Sequence, residues 1–145
     1  MKVVVTSGYY NPLHIGHVNL MREAKKIGDF LIVIVNNDEQ VTVKGSVPFM
    51  PEKERVGIVK AVKYVDDVFL SIDKDKSVVK SLEIIFKKHK GTKLFFAKGG
   101  DSTSENVPEL ETCRKFEAEL VFGVGGRKVQ SSSWLINNTI KNKNV

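Results

Sequence analysis

The stretch "SGYYNPLHIGHVNLM", residues 7–21, sets His14 and His17 three positions apart, where a β-branched run stops and a helical pattern begins. The chain has 3 histidines in all, so two of them at one turn call for a reason. Imidazoles at i and i+3 on the entry to a helix point toward a common face. There they can ligate a metal, pack, or donate to a charged substrate. Cys113 is the single cysteine and no third ligand stands at a recognisable spacing, which argues against zinc. The first N–H groups of a helix suit phosphate oxygens, and Gly16 between the histidines lets a ligand approach the backbone. Gly8 permits a turn, and Asn11-Pro12 marks a loop before the helix. By themselves these residues leave packing, capping and phosphate binding open.

Whatever the pair does, the rest of the chain must position it. Five apolar, β-branched runs recur: residues 2–7, 30–36, 66–71, 93–98 and 118–124. They are continuous rather than alternating, as in strands buried on both faces. Helical periodicity falls between them, over 16–27, 51–63, 77–88, 105–116 and 131–140. This alternation predicts an α/β, Rossmann-like, doubly wound five-stranded parallel sheet flanked by helices. One domain over residues 1–145 is expected, with no repeat or linker. In such sheets ligands bind beyond the carboxyl ends of the strands, where strand order reverses. The polar, glycine-containing segments "TSGYYNPLHIGH", "NNDEQVTVKGS", "AKGGDSTS" and "GVGGRKVQSSS" all follow strands, so they share one rim.

Composition narrows the partners. Hydrophobic residues make up 41% and charged residues 28%, ordinary for a globular chain. The net charge of +6 suits nucleic acid, anionic membranes and phosphorylated small molecules alike. Much of the excess lies in "FKKHK" and the terminal "KNKNV", with no basic stripe interleaved with aromatics, so nucleic acid is not the expected partner. No apolar run approaches the roughly 18–20 residues of a membrane span. "MKVVVTSGYY" reads as a first strand rather than a signal peptide, and a cytoplasmic location is expected.

"GYYNPLHIGHVNLM" resembles the H-x-G-H loop of the cytidylyltransferase-like nucleotidylyltransferases, and "NNDEQVTVKG", "PFMPEKERVGIV", "AKGGD" and "VQSSSWLI" follow in that superfamily's order. The likeness runs over about residues 2–140. It implies transfer of CMP or AMP from CTP or ATP to a phosphorylated or phosphonate small-molecule acceptor, releasing pyrophosphate, with Mg²⁺ as companion ion. A non-catalytic nucleotide-binding regulator on the same scaffold is the alternative. By resemblance, His14, His17 and Lys44 carry catalysis. Gly8, Tyr9, Tyr10, Asn11, Gly16, Gly99, Asp101, Arg127, Ser131, Ser132 and Ser133 bind the nucleotide. Asp38 and Arg55 serve the acceptor, with helix capping and a surface ion pair as their structural alternatives. "KGGD" is similar to heptose-phosphate adenylyltransferases, whereas the short format is similar to glycerol-3-phosphate cytidylyltransferases, and CTP is slightly favoured. The resemblance also implies a homodimer.

Overall fold

The chain's structure, a computed structural model, describes residues 1–99 and 107–125. Five strands form one parallel sheet: β1 (Lys2–Gly8), β2 (Phe30–Val35), β3 (Asp67–Leu70), β4 (Lys93–Gly99) and β5 (Glu119–Val124). Their spatial order is β3-β2-β1-β4-β5. The helices are α1 (Ile15–Ile27), α2 (Asp38–Val43), α3 (Glu52–Lys60), α4 (Val79–Lys88) and α5 (Leu110–Lys115). The expected α/β, doubly wound, five-stranded sheet is present. Sequence periodicity places every strand to within two residues at each end. It does not announce α2, six residues long, in a stretch that reads as a polar loop. The segment 131–140 lies outside the described residues.

The apolar runs are continuous because successive side chains enter two different cores. Val3, Val5, Ile32, Ile34, Leu94 and Phe96 face α4 and α5, packing with Leu82, Ile85, Phe86 and Cys113. Val4, Leu31, Val33, Val35, Phe95 and Ala97 face the other way, with Met21 and Ala24 of α1 and Val59 of α3. Among the described residues, no helix is long and apolar enough to cross a membrane.

Strand order reverses at the β1/β4 pair, and there the sheet opens. β1 stays in register with β2 up to Gly8↔Val35, but its pairing with β4 ends at Val5↔Phe96. Past that point the Thr6 hydroxyl donates to the Ala97 carbonyl at 2.8 Å, replacing the lost ladder bond. The crevice that doubly wound sheets use for ligands therefore lies between the ends of β1 and β4. The loop after β1 feeds α1 directly into it.

Candidate functional site

His14 is the N-cap of α1 and His17 is the third residue of its first turn. His14 Nδ1 accepts the Gly16 N–H at 3.1 Å, and His17 Nδ1 accepts the His14 N–H at 3.1 Å. This is a capping box made of two imidazoles, in positions where hydroxyl and carboxylate groups are usual. The rings stack with centroids 3.7 Å apart and planes 25° apart. No acidic residue lies in the first turn of α1, so the helix supplies no carboxylate of its own to offset its positive end. Among the described residues, no group of three or more His, Cys, Asp or Glu is placed to hold a metal.

Tyr10 turns inward. Its φ of 50° lies in the left-handed region, its ring is 1% exposed, and its edge meets His17 at 4.9 Å in a T-shaped contact. Gly8 makes room for that ring, since a Cβ there would stand 2.6 Å from Tyr10 Cζ. Gly8 thus spares the space that the buried Tyr10 ring occupies. Burial raises the Tyr10 phenol pKa, and its hydroxyl has no hydrogen-bond partner among the described residues. Tyr9 remains half-buried on the rim, with Lys44 Nζ 4.3 Å from its ring centroid. Burial, then Asp75 and Glu109, raises the Tyr9 phenol pKa as well.

Asn11 is tied into the scaffold by its carboxamide. It is 5% exposed, donates Nδ2 to the Val47 carbonyl at 2.9 Å, and accepts the N–H groups of Phe49 and Met50 at 2.6 and 3.3 Å. One carboxamide thus ties the histidine loop to the segment entering α3.

Arg55 shows the same inward turn on a larger scale. The sequence suggests acceptor contact or a surface ion pair, yet the side chain is 0% exposed. Nε donates to the Met50 carbonyl at 3.0 Å, and Nη1 to the Tyr9 and Asn36 carbonyls at 2.7 and 2.6 Å. Nη2 pairs with Asp38 Oδ1 at 2.7 Å. Asp38 in turn accepts the Glu52 N–H at 3.3 Å while Glu52 accepts the Asp38 N–H at 3.0 Å, so α2 and α3 cap each other. Asn37 and Gln40 add a capping box to α2. Their spacing, Asn followed three residues later by Gln, is the sequence signal that locates this start. Glu52 and the depth of Arg55 carry no comparable signal.

Gly99 ends β4 across the crevice, where a Cβ would lie 3.1 Å from the Val124 carbonyl and 3.2 Å from Leu20 of α1. Asp101, Arg127, Ser131, Ser132 and Ser133 lie outside the described residues. The structure thus gathers His14, His17, Gly16 and Tyr10 at α1, Lys44 with Tyr9 beside them, and Asp38 with Arg55 beneath the rim.

Known proteins resemble this chain in sequence and in fold. The cytidylyltransferase-like family model matches residues 5–138. An FAD synthase of Ferroglobus placidus is 44% identical over 75 residues, 52% of this chain and 49% of that protein. The bifunctional protein HldE of Desulfatibacillum aliphaticivorans is 45% identical over 69 residues, 46% of this chain and 14% of that one. The chain spans about half the length, or less, of these curated relatives in the matched region. In fold it is similar to a lipopolysaccharide core biosynthesis protein of Thermoplasma volcanium, with TM-score 0.68 and 24% identity over 84% of this chain and 95% of that one. Thermotoga maritima TmcAL, solved with alpha-thio ATP, gives TM-score 0.69 at 14% identity over 99% of this chain and 51% of that one. The family match spans both sides of the crevice and all five strands, and the chain belongs to the cytidylyltransferase-like family of nucleotidylyltransferases.

Proposed function

We propose that the chain transfers AMP from ATP to a phosphorylated small molecule, releasing pyrophosphate. The observation that carries this reading is the stacked His14–His17 pair at the N-terminus of α1, the helix that directly follows β1 where the strand order reverses. An acceptor phosphate oxygen attacks the α-phosphorus in line. The new P–O bond forms as the bond to the bridging oxygen breaks, and its electron pair leaves with pyrophosphate. No protein nucleophile is needed; positioning and charge stabilisation supply the rate. The two imidazoles, set in the positive field of the α1 N-terminus, face the phosphate oxygens, and Lys44 approaches from the side of Tyr9.

The similarity to FAD synthases supports ATP over the slight preference for CTP drawn from the short format, because making FAD joins an AMP unit to flavin mononucleotide. Magnesium fits as a companion of the triphosphate. Each Asp38 oxygen already accepts one bond, from Arg55 and from the Glu52 N–H. The ion would neutralise phosphate charge, and the protein residues orient what it accompanies.

The test offers ATP, CTP, GTP and UTP with magnesium to flavin mononucleotide, sugar phosphates and polyol phosphates, following pyrophosphate. Release with ATP and one acceptor class, at least tenfold above CTP, is the expected result. If no combination releases pyrophosphate but ATP still raises the melting temperature, the chain is a nucleotide-binding regulator. The dimer is a separate proposal, which sedimentation at the 16.2 kDa monomer mass would remove.

A further inference from the structure

An imidazole nitrogen that accepts an N–H carries no proton, so a neutral ring must hold its one proton on the other nitrogen. Both histidines of α1 use Nδ1 in this way, toward the Gly16 and His14 N–H groups. Each neutral ring is therefore the Nε2–H tautomer, a donor. A doubly protonated ring would set N–H against N–H, in the positive field of a helix start. Two cations stacked at 3.7 Å would also repel each other. The cap requires an unprotonated Nδ1 on each ring, and the stack disfavours two cations.

The cap fixes one nitrogen of His17 but leaves rotation about the Cβ–Cγ bond to be limited by its neighbours. His14 stacks against that ring and the Tyr10 ring meets it at 82° in a T-shaped contact. Tyr10 is itself held, by burial and by the space at Gly8. We propose that Tyr10 is a positioning residue for the transfer reaction. Together with the two Nδ1 acceptors, it keeps His14 and His17 as a rigid pair of neutral Nε2–H donors. The inference rests on the reading of these histidines as phosphate-facing groups.

Two measurements test it. Long-range ¹H–¹⁵N spectra of the nucleotide-free chain at neutral pH should show both rings neutral with the proton on Nε2. A cationic ring, or a proton on Nδ1, overturns the assignment. This spectrum is read without substrate, so it can fail while the transfer reading stands, and hold while that reading fails. The second measurement compares Tyr10→Phe, Tyr10→Leu and Tyr10→Met. Phe keeps the edge contact and should leave kcat within threefold of wild type. Leu and Met remove it, and should lower kcat roughly 10- to 100-fold, with KM for ATP changed much less. The His17 ring signals should shift in step. Wild-type kcat in folded Leu and Met variants overturns the positioning role. Loss of folding in both would assign Tyr10 to the core alone, and overturn it too.

Discussion

At the start of α1 two imidazoles close the first turn, and no acidic side chain lies in it. At the starts of α2 and α3, on the same rim, Asp38, Glu39, Glu52 and Glu54 occupy the first turns, and Asp38 and Glu52 cap each other's helices. Both regions satisfy their orphan N–H groups through side chains. They differ in what happens to the charge. The α2/α3 end is neutralised within the protein, by its own carboxylates and by the buried Arg55. The α1 end is capped by groups that bring no negative charge of their own, and its field favours an anion. One rim therefore carries a finished structural joint and an unfinished electrostatic one.

The largest effect should come from breaking the joint. Arg55→Met removes the donor to three backbone carbonyls and to Asp38, and should cost about 3–5 kcal/mol in urea unfolding, as for a buried charge network. Because Arg55 holds the Tyr9 carbonyl, the histidine loop should loosen with it.

Closing the unfinished end is the sharper experiment. His14→Asp places a good N-cap on α1, so stability should hold or rise by up to about 1 kcal/mol. Turnover should fall on the order of 10²-fold or more, because the new carboxylate repels the triphosphate and a donor is gone. Stability and activity moving in opposite directions is the signature of the contrast. At the other end, Glu52→Gln keeps shape and removes charge, and should cost only about 0.5–1 kcal/mol in the same melts, with turnover nearly unchanged.

Much of this was legible in the sequence, for identifiable reasons. Strands such as "FLIVIV" announce themselves because burial on both faces demands unbroken apolar runs. The histidine pair stood out because two imidazoles at one helix entry are chemically unusual. The inward residues were not legible. Arg55 reads as a surface cation because the carbonyls that bury it lie 46, 19 and 5 positions away along the chain. Tyr10 turns into the core through a positive φ that no local residue pattern specifies. α2 is too short to show a period. Residue type singles out the candidate groups at the α1 start, and the tertiary contacts show which of their neighbours are buried supports.

The smallest effect is expected on the opposite face of the sheet, and serves as a control. Burial, and then Glu109, raises the Cys113 thiol pKa from 9.0 to about 11. The unfolded chain gives up this proton first, so the unfolded state binds fewer protons between those values and stability falls as pH rises from 9 toward 11. Urea melts of Cys113→Ser should lose part of that slope, while the contrast between the two helix starts stays as it was.

The central claim is that the α1 pair serves the reaction more than the fold. Its most direct measurement is pyrophosphate release and melting temperature on the same preparations of His14→Ala and His17→Ala, with ATP and the acceptor that supports turnover. Each substitution should reduce turnover about 10²–10³-fold, the loss seen when one preorganised donor is removed, while the melting temperature falls by only a few degrees. Turnover within threefold of wild type, accompanied by a large drop in melting temperature, would contradict the account and make the histidines structural caps.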